Sequence, residues 1–314
     1  MKNQISRRDF IRKSGMIGTL AMVPMSFWTG SLFGNTDNEV FELAEITGSD
    51  IYQNTLKAIN ALGGIKRFVK QGQRVGILVN SDFDEKGAYV NPDIALAVIK
   101  ACSDQGAGEI ICIQHIYEKY WQRSVNFESH KSIIEKLNNS TATIFPAKFD
   151  EQYFTIKQVN GVGLKEAEIV KTFFDCEVLI NVSIAKHHAT TIYTGALKNS
   201  MGVCTRETNV TFHLNGPTRN NPEYLAQCIV DLNALRKPDL CIVDATEVIV
   251  TNGPSGPGEI LTPGKIVAGT DIVATDSLAS TLIGHEMGDI ITIQKAAELG
   301  LGEIDFNKIK IYRE

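Results

Sequence analysis

Apolar residues along this chain fall into short uninterrupted runs, separated by longer stretches in which they recur every three or four positions. The runs Val75–Val79, Glu109–Ile113, Val178–Val182, Leu240–Asp244 and Ile266–Gly269 show almost no polar alternation, which predicts strands covered on both faces. Between them, helical spacing and end signals predict helices. Asp50–Leu62 carries Ile51, Leu56, Ile59 and Leu62 on one side and stops at Gly63-Gly64. Asn91-Pro92-Asp93 opens a helix through Ala101 that ends near Gly106. Further helices are read at Ser129–Leu137, Pro222–Leu235, Ala274–Ile283 (capped by Thr270 or Asp271) and Ile290–Leu299. Shorter strands are read at Ala142–Phe145 and Lys308–Tyr312, with a hairpin over Tyr153–Leu164 turning at Asn160-Gly161.

Strands alternating with helices predict an α/β fold with a mostly parallel open sheet and helices on both faces. We read this as a Rossmann-like three-layer arrangement, a single large domain with insertions over residues 51–314, preceded by a polar linker at 36–50. Residues 1–35 carry a different signal. Ser6-Arg7-Arg8-Asp9-Phe10-Ile11-Arg12-Lys13 stands directly before an uncharged run from Ser14 to Thr36, the pattern of a twin-arginine signal peptide. It predicts engagement with the twin-arginine export machinery and a periplasmic or extracytoplasmic location, reached in the folded state. The run is long enough to span a bilayer, so an uncleaved membrane anchor is the alternative. Gly15, Gly18, Pro24 and Gly30, with Ser26, Thr29 and Ser31, make it resemble a signal segment more than a span. No clear cleavage site stands out.

Charge and cysteine content narrow the function. The formal net charge is −5, and the N-terminal segment holds Lys2, Arg7, Arg8, Arg12 and Lys13 against Asp9, so the remainder is more acidic still. A nucleic-acid partner is therefore not expected. The six cysteines, Cys102, Cys112, Cys176, Cys204, Cys228 and Cys241, are dispersed without a Cys-x-x-Cys, so neither an iron–sulfur cluster nor a structural zinc is expected. Cys112 and Cys241 fall in strand runs and read as buried, inert thiols; pairing among the six is left open.

In open α/β sheets ligands bind beyond the carboxyl ends of the strands. The segment after Val182 is the densest in chemistry: Lys186-His187-His188-Ala189-Thr190-Thr191, then Thr194-Gly195-Ala196-Leu197-Lys198-Asn199-Ser200-Met201-Gly202. Two lysines, two histidines, hydroxyls and glycine backbone donors suit an anion. The alternative is a metal ion. Adjacent histidines in an extended segment point to opposite faces, so both are not expected on one ion, and His213 or an acid such as Asp244 would have to complete the site. The plain reading is a solvated loop. Asp244 ends a buried strand, where an acid can serve as a base or ligand, and the Gly/Pro run around Asn252 reads as a stiff turn. Asp271 and Asp276 have sufficient structural roles at the start of a helix. Gly-x-Ser-x-Gly, His-Glu-x-x-His, P-loop and dinucleotide fingerprints are all missing.

Together, Ile180-Asn181-Val182 with Lys186-His187, the Thr194–Gly202 segment, Asp244-Ala245 with Asn252-Gly253-Pro254, and Gly269-Thr270-Asp271 with Asp276 resemble the bacterial and archaeal family called domain of unknown function 362. The resemblance runs from about Ile51 to the C-terminus. It implies an α/β domain but no established activity. Two departures stand out. The family's Lys-Pro-Asn after the first strand is reduced here to Asn80, following Leu78-Val79, and the ferredoxin-like insertion of many members has no cysteines to build it.

The resulting expectation is an exported protein that binds a small anionic ligand or a metal-bound cofactor in a strand-end cleft. The candidate residues are Asn80, Lys186, His187, Thr194, Lys198, Asn199, His213, Asp244, Asn252, Asp271 and Asp276, with Asp244 and Asp276 opposite the basic groups. A histidine would be the general base, its ordinary pKa being about 6.5. The alternatives are a non-catalytic maturation or carrier factor for an exported redox partner, and a metal-dependent isomerase or hydrolase.

Overall fold

The computed structural model describes residues 40–114, 116–138, 142–143, 153–157, 161–286 and 288–314. Its strands are β1 (Leu43–Thr47), β2 (Arg74–Val79), β3 (Glu109–Cys112), β4 (Ala142–Thr143), β5 (Tyr153–Lys157), β6 (Glu166–Val170), β7 (Val178–Ile184), β8 (Lys186–His188), β9 (Ile192–Thr194), β10 (Leu240–Ala245), β11 (Val248–Ile249), β12 (Ile260–Leu261), β13 (Lys265–Gly269) and β14 (Ile311–Arg313). The helices are α1 (Ile51–Ala61), α2 (Pro92–Asp104), α3 (Glu118–Trp121), α4 (Phe127–Asn138), α5 (Thr172–Asp175), α6 (Ala196–Asn199), α7 (Arg206–Leu214), α8 (Pro222–Asn233), α9 (Ile272–Thr281) and α10 (Ile291–Glu298).

Eight strands form one sheet in the order β14-β1-β13-β10-β7-β2-β3-β4. Every neighbouring pair is parallel except those made by β13, which runs against both β1 and β10. The expected mostly parallel α/β sheet is thus present. β7 at its centre is buried along its whole length, as its unbroken apolar run requires. Helices α1 and α2 pack on one face, α6 and α9 on the other with α8 and α10 outside them. Local signals place the helix ends: the Asn91 side chain caps α2 with Pro92 at its first position, and Asp271 caps α9.

One expectation is corrected. Leu43–Thr47 falls within the stretch 36–50 whose composition predicts a polar linker, yet it is a strand inside the sheet, between β14 and β13, with Leu43, Ala44 and Ile46 fully inaccessible. The polar look of this stretch comes from Glu45, a buried carboxylate paired with Lys265 and Arg313 on the flanking strands. All six thiols are free and buried. Burial pushes Cys102, Cys112 and Cys204 up to about 12, which keeps them protonated and inert. The twin-arginine signal expected at residues 1–35 lies outside the described residues. Among those described, no helix is long and apolar enough to cross a membrane.

Candidate functional site

The central strand β7 does not end in a simple loop. Ala185 donates its N–H to the Asp244 carbonyl at 2.9 Å, and the chain then folds into a small antiparallel ribbon, β8 with β9, standing on the carboxyl edge of the sheet. His188 closes the ribbon's turn: its Nδ1 accepts the N–H groups of Thr190 and Thr191 at 3.1 and 3.2 Å. A second loop, following β10, packs across the ribbon. There the Gly253 N–H donates to His187 Nδ1 at 3.0 Å, and the Pro254 carbonyl accepts from Lys186 Nζ at 2.9 Å. In both histidines Nδ1 is an acceptor, so in the neutral ring the proton sits on Nε2.

These elements bring together a basic group. Lys186 is wholly buried, with its ammonium 4.0 Å from the Phe83 ring centroid and bonded to the carbonyls of Ala88 and Pro254. Burial, reinforced by the nearby Lys198 and opposed by Asp82, moves Lys186 down to about 7. Lys198, on α6, is half-buried, and that burial brings it down to about 8. Its only hydrogen-bond partner among the described residues is the Met201 thioether, 3.4 Å from Nζ. Burial, and after it the neighbouring basic side chains Lys198, His213, Lys186 and His187, press His188 down to about 2, so it is neutral. His213, on α7, has its ring centroid 6.3 Å from that of His188 and its Nδ1 3.1 Å from Asn220 Oδ1. Burial and Lys198 lower its pKa.

The acids expected to face this group do not. The Asp244 carboxylate accepts from Asn91 N at 2.7 Å, Thr246 N at 2.8 Å and Thr246 Oγ1 at 2.7 Å, so it fastens the start of α2 to the end of β10. Burial still raises it to about 6. Asp276 caps α6 through the N–H groups of Ala196 and Leu197 at 2.6 and 2.8 Å, and burial raises it to about 7. Gly195 lets this happen, since a side chain there would collide with the Asp276 carboxylate. Asp271 lies at the other edge of the sheet, because β13 is antiparallel and places Gly269 opposite Cys241 but Lys265 opposite Ala245. It accepts from Val273, Ala274 and Glu303 N–H groups.

The remaining candidates divide in the same way. Asn199 Nδ2 donates to Asn181 Oδ1 at 2.7 Å, and Asn181 Nδ2 to the Ala196 carbonyl at 2.8 Å, so the pair rivets α6 to β7. Asn252, at φ 53°, shapes its own turn and donates to the Pro257 carbonyl at 3.1 Å. Asn80 is half-buried and continues β2 through its backbone, bonded to Val182 and Val90. Thr194 is buried in β9 with its Oγ1 unpartnered, as is Ser81 Oγ after β2. His285, which no motif marks in the sequence, sits edge-on to Tyr193 with centroids 6.3 Å apart and near His187. A lone histidine after α9, outside any motif, carries no signal that would single it out. His187, His213 and Asp244 are not gathered as a ligand set. No group of three His, Cys, Asp or Glu side chains suited to a metal occurs among the described residues.

Two concavities accompany these groups. The larger, about 720 Å³, is lined by Phe41, Asn60, Ile65, Lys66 and Tyr312 and contains none of the candidate residues. The smaller, about 320 Å³, lies against α7 and is lined in part by His213.

The family described as Domain of unknown function (DUF362) matches residues 75–281. A thylakoid-associated protein of Synechocystis sp. is 23% identical over 252 residues, covering 77% of this chain and 73% of the relative. Among solved structures, the lactate racemase apoprotein from Thermoanaerobacterium thermosaccharolyticum superposes with a TM-score of 0.47 at 12% identity, covering 82% of this chain and 60% of that one. A Thermotoga maritima protein superposes with a TM-score of 0.37 at 12% identity, covering 81% of this chain and 60% of that one. The chain thus spans about 60% of the length of either solved structure.

Proposed function

The chain belongs to the DUF362 family, and we propose that this member binds a small anionic ligand, or the anionic group of a cofactor, at the carboxyl edge of its sheet through Lys198, with His187 and His213 beside it. One observation carries the reading: Lys198 is half-buried, and its ammonium has a thioether as its only hydrogen-bond partner among the described residues. Desolvating a cation costs several kcal/mol unless opposite charge or strong hydrogen bonds replace the water. Lys186 is given two carbonyls and an aromatic face; Lys198 is given nothing comparable. An anion at Lys198 supplies the missing interaction.

The tautomers favour an anion over a metal. A metal at Nε2 of His187 would need that atom's lone pair, whereas the Gly253 N–H holds the lone pair at Nδ1 and leaves Nε2 as a donor. A protonated Nε2 suits an oxyanion. His213 is wired the other way. With Nδ1 donating to Asn220, its Nε2 keeps a lone pair, and its lowered pKa keeps it neutral, so it is the proton acceptor we assign should the ligand be turned over. The chain is proposed to reach its place of work through the twin-arginine route, on the strength of Arg7-Arg8 and the uncharged run after them.

Titration calorimetry with inorganic phosphate on the full chain and on Lys198→Met tests the binding reading. Saturable binding by the native chain, weakened at least tenfold in the variant, is expected. Equal affinity in the two would overturn it.

A further inference from the structure

The smaller concavity adds something that a single anion at Lys198 does not use. It lies between α7 and the segment that follows it, and Arg206, Asn209, Val210, His213, Arg219 and Asn220 line it along with Leu214. On α7, Arg206, Asn209, Val210 and His213 stand at spacings of three, four and seven, so they share one face. Arg206 and Arg219 approach from different segments, and neither side chain makes an ion pair or hydrogen bond among the described residues. Both arginines are exposed and no carboxylate lines the cavity with them, so an anion entering it meets two guanidiniums and no like charge. The rest of the lining is apolar: Val210 and Leu214 are 44% and 49% exposed, which suits a hydrocarbon body beside an acidic head.

The cavity adjoins the Lys198 site. His213 lines it and is also stacked near His188, within the field of Lys198. A second link runs through Met201, whose thioether contacts Lys198 and whose carbonyl accepts from Asn209 Nδ2 at 3.1 Å.

We infer that the α7 cavity is a second anion subsite, contiguous with the Lys198 site through His213, and that the ligand is an organic molecule with an acidic group at each end. This inference rests on the Lys198 reading for one of its two ends. Along α7, Arg206 lies roughly 10 Å from His213, the residue that borders the Lys198 site, at about 1.5 Å per residue. Linking two anions across such a span makes the second contact intramolecular, so the two-ended molecule outbinds the one-ended one.

The test uses the full chain, inorganic phosphate, and an alkane carrying a phosphonate at both ends or at one. The native chain is expected to take up two equivalents of phosphate and to prefer the diphosphonate by at least tenfold. Arg206→Gln with Arg219→Gln is expected to bind one equivalent and to lose the preference at an unchanged melting temperature. Lys198→Met is expected to lose the other equivalent. If the double arginine variant keeps both the stoichiometry and the preference, the subsite is overturned while the Lys198 reading stands. If Lys198→Met keeps both equivalents, the Lys198 reading and the two-ended ligand fall together. A native chain that binds only one equivalent, or shows no preference, also overturns the inference.

Discussion

The backbone N–H of Gly253 donates to Nδ1 of His187 at 3.0 Å, which ties the loop after β10 to the ribbon after β7 and decides which nitrogen of the histidine faces a ligand. The contact requires glycine. A Cβ at position 253 would run into the His187 carbonyl, which is backbone and cannot turn aside. Gly253→Ala should therefore push the loop off the ribbon and release both the His187 and the Lys186 contacts. A loss of about 1–3 kcal/mol in urea unfolding is expected, in line with other overpacked sites, along with weaker phosphate binding. A variant with native stability and affinity would show that the loop has room to spare.

Lys198 should behave differently from a residue that holds the fold together. Its half-buried ammonium has no carboxylate partner, so Lys198→Met should leave the ligand-free protein as stable or raise stability by about 1 kcal/mol, since a poorly compensated cation is removed. Urea unfolding without added anions measures this. A loss above about 2 kcal/mol would mean that the ammonium has a stabilising role in the empty protein.

Anion affinity should fall as pH rises through about 8, where the Lys198 ammonium gives up its proton. Each further pH unit costs up to about tenfold in affinity once that proton must be taken up on binding. Sulfate is the appropriate probe, because its charge is constant over this range. The slope should vanish in Lys198→Met. A flat profile for the native chain would remove Lys198 from the site.

Acid should destabilise the protein through His188. Its folded pKa is depressed to about 2 from an ordinary 6.5, so as pH falls below 6.5 the unfolded chain takes up a proton that the folded chain refuses. Stability present above pH 6.5 is then lost at up to about 1.4 kcal/mol per pH unit. Asp244 and Asp276, raised to about 6 and 7, act in the opposite sense over part of this range, since the folded chain protonates them first. The informative measurement is therefore the difference between the native chain and His188→Asn from pH 6.5 to 4.5. The native chain should lose stability faster on acidification. Parallel curves would show that the imidazole is charged in the folded state.

Export should depend on Arg7 and Arg8, which precede the uncharged run. Replacing both with lysine keeps the charge but removes the guanidinium pair that the export receptor reads. Fractionation of cells expressing the variant should recover the protein from the cytoplasm. Recovery from the periplasm at the native level would show that another route carries it.

The alternation of apolar runs with helical spacing determined the α/β sheet, its buried central strands and most helix positions, because burial on both faces leaves a run without polar interruption wherever it occurs. The same logic located the basic ribbon, since Lys186 and the two histidines directly follow the longest buried strand. Local sequence also dictated the caps at Asn91 and Asp271, whose side chains reach N–H groups only two or three residues away. The roles of the other acids and amides were not legible in this way. Asp244 is spent on an N–H that is 153 residues distant in the chain, and Asp276 on N–H groups 80 and 79 residues away. A carboxylate at a strand end looks the same in sequence whether it faces a lysine or a helix start. Only the fold decides which donors come within 3 Å of it. β1 and the reversed β13 were hidden for a related reason. Strand direction, and a place for the charged Glu45 inside a sheet, are set by the strands and cations that flank them, which are distant in sequence. Lys198 marks the boundary most clearly: its position after the ribbon was evident from the chain, but that its ammonium meets a thioether and no acid follows from the packing of α6 against its neighbours.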